Sequence, residues 1–332
     1  MIYREKYEEF EYERLSPYAS KSAETRGRIL EEEKCTVRTE YQRDRDRIIH
    51  SKALRRLMHK TQVFIAPEDD HYRTRLTHTL EVAQISRTIA RGLELNEDLT
   101  EAIAMGHDLG HTPFGHSGES CLNSIHPGGF RHNVQSLRVV DVLEKSPSGS
   151  PLNLTLEVRD GILNHTGPVK PFTLEGQIVK ISDRIAYINH DIDDALRGGI
   201  IRFEELPEDC IAVLGDTHSK RINTLVTDMM ENSEGKNEIV MSRERTDAMN
   251  GLREFMFKNV YKTPWRRDET EKINRMIKQL YNYFLENPGE MPGDMYNLIE
   301  VWGVNEAVKD YIASMTDRYA LRMYEKVFMP KV

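Results

Sequence analysis

Between residues 175 and 198, Ile178, Ile181, Ile185, Ile188, Ile192 and Ala195 recur every three or four positions. That period places them on one face of an α-helix; a strand would alternate at every second residue. Gly198 and Gly199 supply the stop. The same stretch carries a second row, Asp183, Tyr187, His190 and Asp194, with Asp191 one turn beyond Tyr187. A helix with one oily stripe and one stripe of ligand-type groups is bound to a core on one side and invites a site on the other.

Helical patterns dominate elsewhere too, with few alternating β-branched runs and no internal repeat. Residues 36–60 are helix-compatible and rich in arginine, and Pro67 to Asp70 read as a turn. Residues 74–93 form an amphipathic helix. Another begins at Asn96, a suitable N-cap with Glu97 and Asp98 in its first turn, and runs into His107-Asp108. Gly110, Pro113, Gly115 and Gly118 then break regularity and give a loop carrying polar residues. Residues 1–30 read as extended or mobile, 145–151 as a surface linker, 229–237 as a polar connector and 238–332 as further helices with core aromatics. The expected fold class is all-α, in a single compact unit over 1–332, with a catalytic core at 50–200 and a helical C-terminal lobe at 201–332.

At 332 residues, 39% hydrophobic and 30% charged, the chain is long enough to bury a substantial core. A net charge of −8 argues against a generic DNA-coating protein. Cys35, Cys121 and Cys210 share no CxxC spacing and read as reduced thiols. No signal peptide and no long apolar span is visible, so the expected location is cytoplasmic, with no membrane partner.

The chemistry concentrates early. Six of the twelve histidines (His78, His107, His111, His116, His126 and His132) lie between positions 78 and 132, and helix surfaces have no structural need for that density. His107 and Asp108 are adjacent; on a helix they would point roughly 100° apart and could grip one ion from two sides. With His78 on the preceding helix and Asp183 on the later one they make a mixed N/O set, which suits Mg²⁺, Mn²⁺, Fe²⁺, Co²⁺, Ni²⁺ or Zn²⁺ without choosing among them. His116 and Glu119, at i,i+3, have the spacing of a carboxylate-oriented acid/base histidine, or of a surface pair. Arg75, one turn from His78, is placed to hold a metal-bound phosphate, and Lys180 and Arg184 flank Asp183 for the same task. Residues 38–60 hold eight Lys/Arg against three acids, fitting either an anionic ligand or a solvated, ion-paired helix face.

The pattern His78 … His107-Asp108 … Asp183 is the signature of the HD phosphohydrolase superfamily. The stretches YRTRLTHTLEVAQISRTIAR (72–91), AIAMGHDLGHTPFGHSGE (102–119), FRHNVQSLRVV (130–140) and ISDRIAYINHDIDDA (181–195) resemble its deoxyguanosinetriphosphate triphosphohydrolase-like branch. So do RDRDRIIHSKALRRLMHKTQVF (43–64) and DYIASMTDRYAL (310–321). The resemblance implies an HD-domain helical bundle whose C-terminal lobe completes the substrate site. It implies one divalent metal ion per subunit on His78, His107, Asp108 and Asp183, and cleavage of a dNTP between the α-phosphorus and the 5′ oxygen. His116 and Glu119 match the acid–base pair, with His111 and His132 lining the same pocket. Gln62 matches a glutamine at the 3′-hydroxyl side of the sugar, and Tyr187 a tyrosine under the deoxyribose that leaves no room for a 2′-hydroxyl. Arg75, Arg184 and Asp191 match residues around the triphosphate and sugar.

The resemblance also implies a homo-oligomer, hexamer or tetramer, with an activating nucleotide and weak single-stranded DNA binding in some members. Base choice is not readable; Tyr261 is the candidate stacking partner. Two other readings stay open at this point. One is an HD-type nucleotidase or phosphodiesterase with the same metal set. The other is a non-catalytic nucleotide- or DNA-binding regulator.

Overall fold

In a computed structural model of the chain, residues 2–62, 73–146, 149–261 and 264–330 are described, those of 264–267 by backbone alone. The expected turn at 67–70 lies outside the described residues. The all-α expectation holds: the described residues form helices and loops, with only two isolated bridges, Arg28 to Thr155 and Thr61 to Thr74.

The stretch read first is a helix over Leu174–Arg197, capped by the Thr173 side chain accepting from Gly176 N. Ile178, Ile185, Ile188, Ile192 and Ala195 are at most 1% exposed. Burying each isoleucine contributes about 1.5–3 kcal/mol. The helix packs on Arg75–Gly92, Glu97–Gly106 and Leu156–Asn164, which enclose it within one apolar cluster. Caps begin two of these neighbours. Thr74 forms a capping box with Thr77, and the Asn96 amide oxygen accepts from Leu99 N, as its sequence position promised.

The first apolar cluster extends through Glu208–Leu214, His218–Ser233 and Arg243–Met256 to Val260. A second runs from Ile273 to Ala320 and takes in Phe114, Cys121, Leu122 and Phe130. The helix Gly115–Ile125 therefore joins the His107-Asp108 loop to the C-terminal helices.

Three local expectations are corrected. Residues 3–14 are a helix, Tyr3–Arg14, because Arg4 pairs with Glu8 one turn on and Glu11 accepts from both Ser22 N and Oγ, which ties its end down. The helix-compatible run 36–60 breaks into Glu40–Ile49 and Lys52–Arg56, where Ser51 caps the second piece. The connector at 229–237 begins later, since His218–Ser233 stays helical through its polar end.

Four of the eight basic residues of the run 38–60 are paired with acids. Arg38 pairs with Asp46, Arg43 with Glu32 and Glu40, Arg45 with Asp98 and Glu101, and Arg47 with Glu32. Lys60 is buried. That is the ion-paired reading of the run, with partners recruited from across the fold.

Candidate metal centre and its pocket

His78 enters from the first turn of Arg75–Gly92, Asp183 from the middle of Leu174–Arg197, and His107 from the C-cap of Glu97–Gly106, with Asp108 following it into the loop. Three segments thus converge. His78 Nε2 lies 3.0 Å from Asp183 Oδ1. His107 Nε2 lies 3.5 Å from Asp108 Oδ1 and 3.8 Å from Asp183 Oδ1. His78 and His107 are each 1% exposed and Asp108 4%.

The tautomer of His107 decides what this cluster can hold. Its Nδ1 donates to the Ala104 carbonyl at 2.6 Å, so in the neutral ring Nε2 is a bare acceptor. That buried nitrogen has no hydrogen-bond partner, and it faces two carboxylate oxygens that are also acceptors. Converging lone pairs repel unless a cation stands among them. Two imidazoles and two carboxylates are the donor set of a first-row divalent ion, and an Nδ1–H held by a backbone carbonyl is the usual outer support for such a ligand. The residues fit a divalent metal.

Electrostatics agree. Burial alone would push the Asp108 carboxyl up, but His107, His111, Arg75 and His78 hold it well below the ordinary carboxylate range. Burial opposes ionisation of Asp183 as well; the His78 bond and the nearby His107, His78 and His165 outweigh it and keep it low. Arg75 Nη1 donates to Asp108 Oδ2 at 2.8 Å and Nη2 to the Gln62 carbonyl at 3.3 Å. Both metal-side carboxylates are therefore charged and ready to bind.

A cavity of about 470 Å³ opens over this floor, the size of ordinary small-molecule sites, about 300–1,000 Å³. It brings together most of the residues singled out from the sequence: Gln62, Arg75, His111, His116, His132, Tyr187, Asp191 and Tyr261 beside His78, Asp108 and Asp183. The Tyr261 hydroxyl donates to Asp191, which joins the far wall to the Leu174–Arg197 helix.

The row of ligand-type residues on that helix divides. Asp183, Tyr187 and Asp191 line the cavity, whereas His190 faces Glu81 and His218, and Asp194 pairs with Arg73. Lys180 and Arg184 do not reach the wall. The Lys180 ammonium donates to the carbonyls of Asn164, Gly167 and Val169, holding the loop after Leu156–Asn164, and Arg184 points to solvent.

His116 is the exposed member, 76% open, with Nδ1 3.4 Å from Glu119 Oε2. Glu119 gives its other oxygen to His132, accepting from the backbone N and ring Nδ1 at 2.8 Å each. His111 stacks on His132 at 4.2 Å with the rings 15° apart. Burial first, then Arg75 and His132, holds the His111 ring neutral, well below the usual histidine range. His107 and His111 do not share a helix face, because the helix ends at Gly106.

Sequence reasoning missed several contributors. Arg253 and Phe257, stacked guanidinium over ring at 5.1 Å, come from near the end of the first cluster. Thr270 faces Ser117 at 3.2 Å across the mouth. His165 backs the pocket, 3.2 Å from His132 Nε2 and 5.0 Å from the His107 ring. A lone histidine at a helix end carries no spacing signal that would have found it.

The HD domain profile matches residues 75–188, and the phosphohydrolase-associated domain matches 239–326. A deoxyguanosinetriphosphate triphosphohydrolase-like protein of Caldanaerobacter subterraneus subsp. tengcongensis is 62% identical over 99% of this chain and 97% of its own. Proteins of the same description from Clostridium tetani and Desulfatibacillum aliphaticivorans are 49% and 46% identical, over 100% and 99% of this chain and 98% and 99% of theirs. No helix among the described residues is long and apolar enough to cross a membrane. The site is that of an HD-type hydrolase, and the chain belongs to the deoxyguanosinetriphosphate triphosphohydrolase-like family.

Proposed function

We propose that the protein hydrolyses deoxynucleoside triphosphates to deoxynucleoside and inorganic triphosphate, using one divalent ion held by His78, His107, Asp108 and Asp183. The observation that carries the reading is the continuity of one cavity: its floor is the metal cluster, and its walls carry the sugar-side pair Gln62 and Tyr187. The relatives' descriptions name the same substrate class.

When bound, the ion supplies Lewis acidity toward a phosphate oxygen. The chain's own groups do the rest. Arg75, tied to Asp108, places positive charge beside the α-phosphate as negative charge develops there. A water oxygen bonds to the α-phosphorus and the bond to the 5′ oxygen breaks. His116, oriented by Glu119, passes a proton to that departing oxygen, a contribution of about 10²–10⁴-fold. Triphosphate and the neutral 5′-hydroxyl leave. Tyr187, a half-buried side chain of the Leu174–Arg197 helix, closes the space that a 2′-hydroxyl would need.

The test supplies each dNTP singly, then all four together, beside the matching NTPs, with Mg²⁺ and then Mn²⁺, and separates products by ion exchange. Deoxynucleoside plus triphosphate from dNTPs, with NTPs spared, is the expected result. Phosphate from monophosphates only, or ligand binding without turnover, would overturn it in favour of the nucleotidase or regulator reading.

A further inference from the structure

Two stretches far apart in the chain meet at the rim of the cavity. Residues 60–62 pass on one side, and the turn at Phe114 and Gly115 on the other. They lie in close contact: a Cβ on Gly115 would stand 2.9 Å from the Gln62 carbonyl oxygen and 3.1 Å from Arg75 Nη2. Phe114 and Gly115 both hold positive φ, 61° and 57°. A residue with a bulky side chain rarely adopts the first of these. Such a backbone persists only where its surroundings fix it.

What fixes it comes from the C-terminal helices. Asp317, 5% exposed, accepts from Phe114 N at 2.9 Å through Oδ1 and from Thr61 N at 3.0 Å through Oδ2. Both donors are backbone N–H groups, so each bond has one direction. A single side chain thus ties the residue before Gln62 to the residue two before His116. Lys60 adds a parallel tie, its Nζ donating to the carbonyls of His111 and Ala313. On the open side, Arg75 N donates to the Lys60 carbonyl at 3.0 Å.

We infer that Asp317 is a positioning residue that holds Gln62 and His116 in register across the pocket. It stands outside the residues lining the cavity and acts only through the two backbones it binds. The inference rests on the reaction proposed above for its consequence in turnover. There Gln62 is the sugar-side residue and His116 the proton carrier, so a loosened tie is felt twice, in the choice of sugar and in kcat. A buried N–H without an acceptor is costly, so the two segments must part or admit water once the carboxylate is gone.

Two variants test this. Asp317→Asn keeps the size of the side chain, but its one amide oxygen replaces two acceptors. Thr217→Ala removes an N-cap of comparable worth from the distant helix His218–Ser233. The first measurement, amide hydrogen exchange, needs no substrate. Asp317→Asn is expected to speed exchange at Thr61 and Phe114 by about tenfold, and Thr217→Ala to leave both at the parent rate. Unchanged exchange in Asp317→Asn would overturn the inference. The second measurement is kinetic. Asp317→Asn is expected to lose about 10- to 100-fold in kcat and about tenfold in the ratio of kcat/KM for dNTP over NTP, with metal content unchanged. Thr217→Ala is expected to keep both. A smaller folded fraction scales every substrate alike and cannot move that ratio. Faster exchange with the parent's kcat and ratio would also overturn the positioning role. If the parent turns over no dNTP, the proposed function fails, while exchange still decides whether Asp317 holds the two segments.

Discussion

The four residues of the proposed metal cluster were legible as types and spacings, because a metal needs particular donor atoms and a helix presents them at known intervals. Their protonation states were not. The bare Nε2 of His107 depends on a carbonyl three residues back, and Asp108 stays charged because His107, His111, Arg75 and His78 surround it. Lys180 shows the opposite failure: a cation beside Asp183 in sequence lies on another face, bound to three carbonyls. At this scale His116 gives a clean test. Being 76% open, with one edge-on contact to the His111 ring, it has little packing to lose. His116→Ala is expected to leave the melting temperature and metal content unchanged while lowering kcat by about 10²–10⁴-fold. An unchanged kcat would remove it as the proton carrier.

Among the elements, the long helices were readable from periodicity and caps, and Asn96 stands where its side chain was expected to cap. What periodicity cannot carry is the close approach of loop to helix. A Cβ on Gly110 would stand 2.2 Å from Ser136 N, 2.4 Å from Gln135 C and 2.7 Å from His132 O, all backbone atoms. That contact is what sets the loop bearing His111 against the helix His132–Arg138 and lets the two rings stack. Gly110→Ala must therefore part the two segments. The expected outcome is a loss of about 1–3 kcal/mol in denaturant unfolding together with impaired turnover; a variant as stable and active as the parent would show that the two segments do not need this contact. The N-terminal helix escaped prediction for a related reason, since Glu11, which ties down its end, makes its bonds outside the helix, to Ser22 and to the distant Asn96.

Over the whole molecule, charge networks join distant segments. Glu32 accepts from Arg43, Arg47 and Asn153, and so ties the N-terminal stretch to the Glu40–Ile49 helix and to the loop before Leu156–Asn164. Burial opposes its ionisation, but Arg47 first, then Asn153 and Arg28, bring the carboxyl down to about 2 from its usual 4.5. A carboxylate whose folded pKa lies below its unfolded one contributes stability above the unfolded value and loses it as pH falls through the folded one. Glu32→Gln is accordingly expected to melt below the parent at neutral pH, with the gap closing as pH drops from 4.5 toward 2. A gap that stays constant with pH would mean the tie is not electrostatic.

The most direct measurement pairs metal content with product formation in the same samples of parent and Asp183→Ala protein. Asp183 has no role in packing the apolar stripe, so the variant should keep its helical circular dichroism. The expected result is about one divalent ion per chain and triphosphate release in the parent, and neither in the variant. Full turnover in Asp183→Ala, or a parent that hydrolyses dNTPs after its metal has been stripped, would contradict the assignment of this cluster as the centre of the reaction.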